Sequence, residues 1–465
     1  MPGYKEHAKY KWIIIAELVF LSIAVFYPLI NSFIQPFLPT GFVYGIDQHI
    51  VFSIMVLAGL LWFTEAIPLH VTGLLIAFLL TVTGVFTMDE AFAPFFDSVI
   101  VLLLGGFILA RAMQKHGLDK KIAYTFIDAF GNKPTKFLFG IMLVTAFLSM
   151  WMTNTATTAL ILPIAIVILT KTGLEPLKSN YSKAVVLGIA FAATIGGIGT
   201  LIGSTPNPMA QEFLAKEGIA LNFFDWMLYA MPLVVIMLPI AWFVLLKFFK
   251  PEVNELKIES FSKELDKNQK KVLSVFLVTV FLWLTTPFHG FSSSLVSVVP
   301  ILLLYLTNLL NVDDFSKINW AALVLFGGGL SLGLAIQVTG LDTIFAVLFE
   351  SFALGQPYFL ILLSVVVASI LMTLVSSNTA TAAVMIPISI PLAAALGINP
   401  SLMAVLVAIG VSLDFIVPVG TPPSTIAYSS GYVRVKDMAL SGTVIALIGV
   451  LVLTCMAVFY WPLLH

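Results

Sequence analysis

The sequence predicts an all-α polytopic membrane protein of about 11 transmembrane elements plus two re-entrant hairpins, arranged as inverted repeats. Three observations lead there. First, 60% of the 465 residues are hydrophobic and 10% charged, mean hydropathy is +1.05, and apolar runs of about 20 residues, enough for a helix to span hydrocarbon, fill nearly the whole length. Second, the polar segment Thr153-Asn154-Thr155-Ala156-Thr157 recurs as Ser377-Asn378-Thr379-Ala380-Thr381, each copy interrupting a long apolar stretch. Third, the basic residues fall where a single topology puts them.

In chain order, residues 12–34 form the first span. It follows Lys5, Lys9 and Lys11 but is too long for a signal h-region and lacks a small-residue cleavage site, so it is expected to be retained. Spans at 50–64, 68–86 (opened by Pro68) and 98–115 follow. Segments 137–152 and 156–171 form a hairpin around the first polar tip, and 182–215 is a span broken by Gly203-Ser204-Thr205-Pro206-Asn207. Spans 227–248, 271–286, 292–310 and 318–339 come next, then a second hairpin, 356–374 with 380–396. A second broken span at 400–431 carries Gly420-Thr421-Pro422-Pro423-Ser424, and 440–464 is the last span. Continuous runs such as Trp12 to Ile34 exclude a β-barrel, whose strands are about ten residues of alternating polarity. The charged stretch Lys250–Lys271, within the linker 249–271, reads as a cytoplasmic interfacial helix, and 118–133 and 434–441 as shorter amphipathic pieces.

Cytoplasmic loops carry the Lys/Arg excess. With the N-terminus inside, Lys216 alone among 23 Lys and Arg residues falls outside. That agreement requires both tip segments to be hairpins, because full spans there would shift the parity. Repetition extends beyond the tips. Leu104-Gly105-Gly106-Phe107 matches Phe326-Gly327-Gly328-Gly329, Gly117-Leu118-Asp119 matches Gly340-Leu341-Asp342, and the two Gly-Ser/Thr turns match, all in one order at offsets of 217 to 224 residues. One hairpin opens from each side, so the repeats are inverted.

Irregular backbone at membrane depth is tolerated only where protein buries it or water fills a cavity, so the two tips and two turns mark the site. Helix N-termini offer unpaired N–H groups to an anion, while freed carbonyls, hydroxyls and amide oxygens suit a hard cation. Arg111 and Arg434 are the only arginines and both lie near the cytoplasmic edge; no Lys or Arg occurs in 137–170, 184–215 or 356–433. An anionic substrate must then be compensated by co-bound Na⁺ or by dipoles. An Asn side chain couples the two ligands by offering its carbonyl oxygen to a cation and its NH₂ to a carboxylate.

These paired tips and turns, in this order and spacing, resemble the divalent anion/sodium symporter family, and the resemblance covers most of the chain. It implies an elevator-type homodimeric transporter of C4-dicarboxylates such as succinate, malate and fumarate, with Na⁺ as coupling ion and no other cofactor. It divides the chain into scaffold 1–97, transport elements 98–220, scaffold 221–317, transport elements 318–433 and a last span 434–465. It places Asn154, Thr155, Asn378 and Thr379 at the tips, and Ser204, Thr421 and Pro422 at the turns, on the substrate carboxylates. One sodium is expected among Ser149, Thr153, Asn154 and Gly203, a second among Thr373, Ser376, Asn378 and Gly420. Thr153 stands where the family has Ser, and Thr205-Pro206-Asn207 breaks the second Pro-Pro pair.

Alternatives on the same fold are a sodium-independent dicarboxylate exchanger or a carrier of citrate or sulfate. An intramembrane enzyme is not expected, because the spans lack a His-Glu-x-x-His helix, paired catalytic aspartates or a Gly-x-Ser-x-Gly elbow. Cys455 is the sole cysteine, which excludes an intrachain disulfide. Asp414, beside the second turn, has two readings: a cap that orients the turn, or a participant in H⁺ or Na⁺ coupling. Trp151, next to the first tip, shapes the cavity or simply packs. The expected setting is a prokaryotic inner (plasma) membrane, with lipid, Na⁺, the substrate and a second copy as partners and no nucleic acid.

Overall fold

The computed structural model describes residues 2–38, 43–258, 264–353, 355–374, 376–418 and 420–464, with side chains described from residue 10 onward except those of 350–352. All regular structure among the described residues is helical. Eight helices there are long and apolar enough to cross a membrane, nine with the bent pair near the N-terminus. Two of the eight, Asn154–Thr172 and Asn378–Ala395, are hairpin arms.

The eleven expected elements are all helical, but several are shorter than the sequence suggested. Leu69–Val82, Ser293–Leu306 and Pro400–Gly410 have 10 to 17 residues, and Lys267–Leu284 opens on Lys267, Lys270 and Lys271. The first span is not straight either. It consists of Tyr10–Val25 and Tyr27–Phe37 at 67°, with Pro28 in the first turn of the second helix, where a missing N–H is harmless to that helix but ends the ladder of the preceding one.

Two interfacial expectations need correction. Residues 434–441 are not a separate piece but open the continuous helix Val435–Cys455. Nor is 250–271 one helix: 250–258 and 264–266 are irregular, helix begins at Lys267, and 259–263, including Glu259, lie outside the described residues. The reason is that this segment is tied down by tertiary bonds. The Glu252 carboxylate accepts from Ser179 Oγ at 3.0 Å and from the backbone N–H of Asn180 and Tyr181, capping the helix Asn180–Ile198 from outside its own sequence. Leu256 N–H donates to the Asn132 carbonyl and Lys257 N–H to Thr172 Oγ1.

The chain forms two compact units, 1–100 with 209–220 and 319–411, and 101–208 with 221–318 and 412–465. Each combines elements of both repeats. In the first, the helix Trp320–Thr339 lies directly on Leu69–Val82: a Cβ at Gly328 would come within 2.3 Å of Gly73 Cα. Ser331 Oγ donates to the Ala91 carbonyl on the same side. In the second unit, a glycine of the same motif in the first repeat does likewise: a Cβ at Gly105 would lie 2.4 Å from the Ser297 carbonyl on the helix Ser293–Leu306. The repeated Gly-Gly motif therefore has one physical job, docking the fourth span of one repeat on the third span of the other at backbone distance. The second unit is organised around Asn180–Ile198, of which 94% of an 18-residue window is buried. It packs on the first hairpin, on Phe223–Phe248 and on Pro422–Ser429.

In the second unit, Asp314 takes up most of the local positive charge. Arg111 Nη2 lies 2.9 Å from its Oδ1 and Lys115 Nζ 2.6 Å from its Oδ2, while Asn311 N–H donates to Oδ2 at 3.0 Å. Burial works to raise its pKa, but the Lys115, Asn311 and Arg111 bonds outweigh burial and hold it at about 2. A lowered folded pKa means this stabilisation is fully present above the ordinary carboxylate range near pH 4 and is lost as pH falls toward 2. Asp314→Asn should lower stability at pH 7 by roughly 2 kcal/mol, with the deficit vanishing in melts run near pH 2 to 3.

Candidate functional site

Each tip starts a helix. Thr153 caps Asn154–Thr172, its Oγ1 accepting from Ala156 N–H at 3.2 Å, and Ser377 caps Asn378–Ala395 by accepting from Ala380 N–H at 3.2 Å. The capping hydroxyls satisfy one N–H apiece, leaving other first-turn N–H groups directed out of the tip. In both, a hydroxyl on the preceding arm meets the tip amide: Ser149 Oγ lies 2.6 Å from the Asn154 amide, and Thr373 Oγ1 donates to Asn378 Oδ1 at 2.6 Å. Ser149 and Thr373 are fully buried. Asn154 and Asn378 are half-buried, Thr155 is exposed, and Ser376 and Thr379 are half-buried.

At the first tip the Asn154 amide faces three oxygens, Ser149 Oγ at 2.6 Å, Ala193 O at 3.1 Å and Gly203 O at 3.2 Å. With its NH₂ turned toward them it donates, though two N–H groups cannot fully serve three acceptors. With its oxygen turned toward them, Ser149 donates to it while two carbonyls face it oxygen to oxygen, an arrangement that a hard cation makes favourable. The glycines permit this closeness. A Cβ at Gly197 would sit 2.2 Å from the Asn154 amide, and one at Gly203 would sit 2.9 Å from the Ser149 carbonyl.

The first turn is held by a side chain whose role the sequence reading missed. Asn207 is fully buried, and its Nδ2 donates to the carbonyls of Thr200 at 2.7 Å and Gly197 at 2.9 Å, with Ile198 at 3.4 Å. Trp226 Nε1 donates to Ile198 O at 2.9 Å, and Thr200 Oγ1 donates to the Met150 carbonyl. The carbonyls freed where Asn180–Ile198 ends are thereby paired within the protein, and the turn is tied to the tip. A polar residue after a proline at membrane depth was the available signal; Asn207 is also the repeat partner of Ser424. The Ala193 carbonyl had no signal, being backbone.

The second turn starts the helix Pro422–Ser429. Thr421 is buried, its Oγ1 accepting from Ser424 N–H at 3.4 Å and donating to Ser424 Oγ at 3.0 Å, while Pro422 is exposed. Ser204 is half-buried.

The structure thus brings Ser149, Thr153, Asn154, Gly203 and Ser204 together within the second unit, which also holds Gly420, Thr421 and Pro422. Thr373, Ser376, Asn378 and Thr379 form the other tip, in the first unit. Trp151 packs: it stacks on Phe223 and Trp283 at 6.2 and 6.5 Å and meets Phe276 edge-on at 5.3 Å.

The sodium:sulfate symporter transmembrane region matches residues 17–465. An uncharacterised transporter of Haemophilus influenzae is 34% identical over 460 residues, 95% of this chain and 96% of its own length. The sodium-dependent dicarboxylate transporter SdcS of Staphylococcus saprophyticus is 33% identical over 439 residues, 86% of this chain and 84% of its own. Among solved structures, MtrF of Neisseria gonorrhoeae, from a class of antimetabolite efflux pumps, superposes with a TM-score of 0.57 at 15% identity, covering 91% of this chain and 97% of its own. That last likeness is one of fold.

Replacing Asn207 by Ala leaves three buried carbonyls without their shared donor. Asn207→Ala should lower the melting free energy of the purified protein by about 1–3 kcal/mol, whereas Asn207→Asp, which sets an acceptor against acceptors, should be worse; parallel thermal melts of the two variants check the order.

Proposed function

Because the chain belongs to the sodium:sulfate symporter family, a family of multi-pass membrane transporters, we propose that it imports C4-dicarboxylates such as succinate, malate or fumarate together with Na⁺. The observation that carries the reading is the convergence of Ser149 Oγ, the Asn154 amide, Ala193 O and Gly203 O within 2.6 to 3.2 Å. Those oxygens match the preference of a hard cation. The helices that start at Asn154 and Asn378 can direct first-turn N–H groups to the anion, while those that start at Pro206 and Pro422, whose prolines carry no N–H, add only partial positive charge.

In this reading Na⁺ draws the Asn154 oxygen toward Ser149, Ala193 and Gly203, which turns the NH₂ outward to a substrate carboxylate. Ion binding and anion binding then share one side chain, so each favours the other. Asn378, with Thr373 and Ser376, does the same at the second tip, and Thr155, Thr379, Ser204, Thr421 and Pro422 shape the carboxylate pocket. Transport proceeds as an elevator in a homodimer, with 98–220 and 318–433 moving against 1–97 and 221–317, the last span 434–465 beside them, and the N-terminus in the cytoplasm of a cell bounded by this inner membrane. Sodium-dependent dicarboxylate transport in the staphylococcal relative supports the choice of substrate.

The test is labelled succinate uptake into proteoliposomes. An inward Na⁺ gradient should drive accumulation that a K⁺ gradient does not, and Asn154→Ala and Asn378→Ala should each reduce it at least about tenfold through loss of a charge-assisted bond. Uptake that needs only preloaded dicarboxylate identifies an exchanger instead; uptake of citrate or sulfate but not succinate reassigns the substrate.

A further inference from the structure

Between the helices Pro400–Gly410 and Pro422–Ser429 the backbone of residues 413–417 leaves the helical ladder. Asp414 sits in this break with 1% of its surface exposed. Its Oδ1 accepts from Ile416 N–H at 3.3 Å, and its Oδ2 is buried without a hydrogen-bond donor. That oxygen is aimed at the turn: a Cβ on residue 420 would lie 1.6 Å from it, so the carboxylate occupies the space that glycine at 420 leaves open.

Among the described residues, no cationic side chain pairs with Asp414. Phe191 of Asn180–Ile198 stacks edge-on against Phe415 at 5.4 Å, and Gly442 and Gly449 of Val435–Cys455 lie against the Phe415 carbonyl and Leu413. Pro422–Ser429 packs in turn on Asn180–Ile198 and Asn154–Thr172. The lysines of these helices, Lys171, Lys183 and Lys436, are confined to their first or last turns, and Lys183 faces Asp437 at 3.7 Å. No Lys or Arg occurs in 184–215 or 356–433. A buried carboxylate with one oxygen unserved and no fixed cation in reach calls for a bound one.

We propose that Asp414 is the charged ligand of a Na⁺ site in this break, its Oδ2 facing the turn at Gly420. The inference rests on the Na⁺-coupled reading above and adds a distinction to it. The first cation site is built of neutral oxygens, so its ion is favoured by the substrate's charge. Asp414 supplies its own countercharge, so this ion binds before any dicarboxylate does.

The experiment is a Na⁺ titration of thermal unfolding in detergent, without dicarboxylate, at constant ionic strength against K⁺. Wild-type protein should be stabilised by Na⁺, whereas in Asp414→Asn the Na⁺ midpoint should rise at least about tenfold while the melt in K⁺ stays cooperative, since Asn keeps the acceptor for Ile416 N–H. Asp414→Ser, a second neutral residue with an acceptor, should behave alike and serves if the Asn variant does not fold; binding of radioactive sodium reads the same loss directly. A wild-type response that survives unchanged in either folded variant overturns the assignment of Asp414 and leaves Na⁺ coupling standing. No Na⁺ response in wild type without substrate overturns this site as well, and no Na⁺-driven uptake in the proteoliposomes overturns the coupling itself.

Discussion

A backbone group that has left its helix inside hydrocarbon has no water to turn to, and the architecture of this protein follows from how that cost is met. The chain breaks its helices at two tips and two turns, and each break is supplied with partners. Thr153, Ser377 and Thr421 cap the helices that begin there, while Asn207 and Trp226 take the carbonyls where Asn180–Ile198 ends. In the function proposed above, the oxygens clustered at the first tip are left for a cation. Loss of Asn207 removes partners that hold the first turn in place.

Breaks of this kind are useful only if the helices around them are held rigidly, and small residues do that holding. Gly105 and Gly328 lie in the repeated Gly-Gly motif, and each sets its helix at backbone distance from the third span of the other repeat. Without a solvent that drives apolar surfaces together, close packing between backbones is the main attraction available to such helices. At the site itself Gly197 and Gly203 let the Asn154 amide approach carbonyls more closely than any side-chain-bearing residue would allow.

Electrostatically the two faces of the problem are handled differently. Outside the spans, charge is paired conventionally, with Arg111 and Lys115 on Asp314 and Glu252 on the N-terminus of Asn180–Ile198. The segments that carry the tips and turns, 137–170, 184–215 and 356–433, contain no Lys or Arg, and in the function proposed above the balance falls to ions that travel with the substrate.

The sequence by itself determined the fold class, the order of the elements and the identity of the polar breaks, because apolar run length, proline and a repeated Ser/Thr-Asn-Thr signal are local properties. The grouping of Ser149, Thr153, Asn154 and Gly203 came instead from the family resemblance that these repeated motifs carry. Tertiary structure alone decided what depends on neighbours distant in sequence. The Glu252 cap keeps 250–258 from becoming helix; a 67° bend splits the first span; Ala193 contributes an oxygen through its backbone; and the open face of Gly420 receives Asp414 Oδ2. Side-chain type and spacing carry no record of which carbonyl turns inward or which carboxylate is left without a donor, since those follow from packing between segments that the chain brings together only when folded.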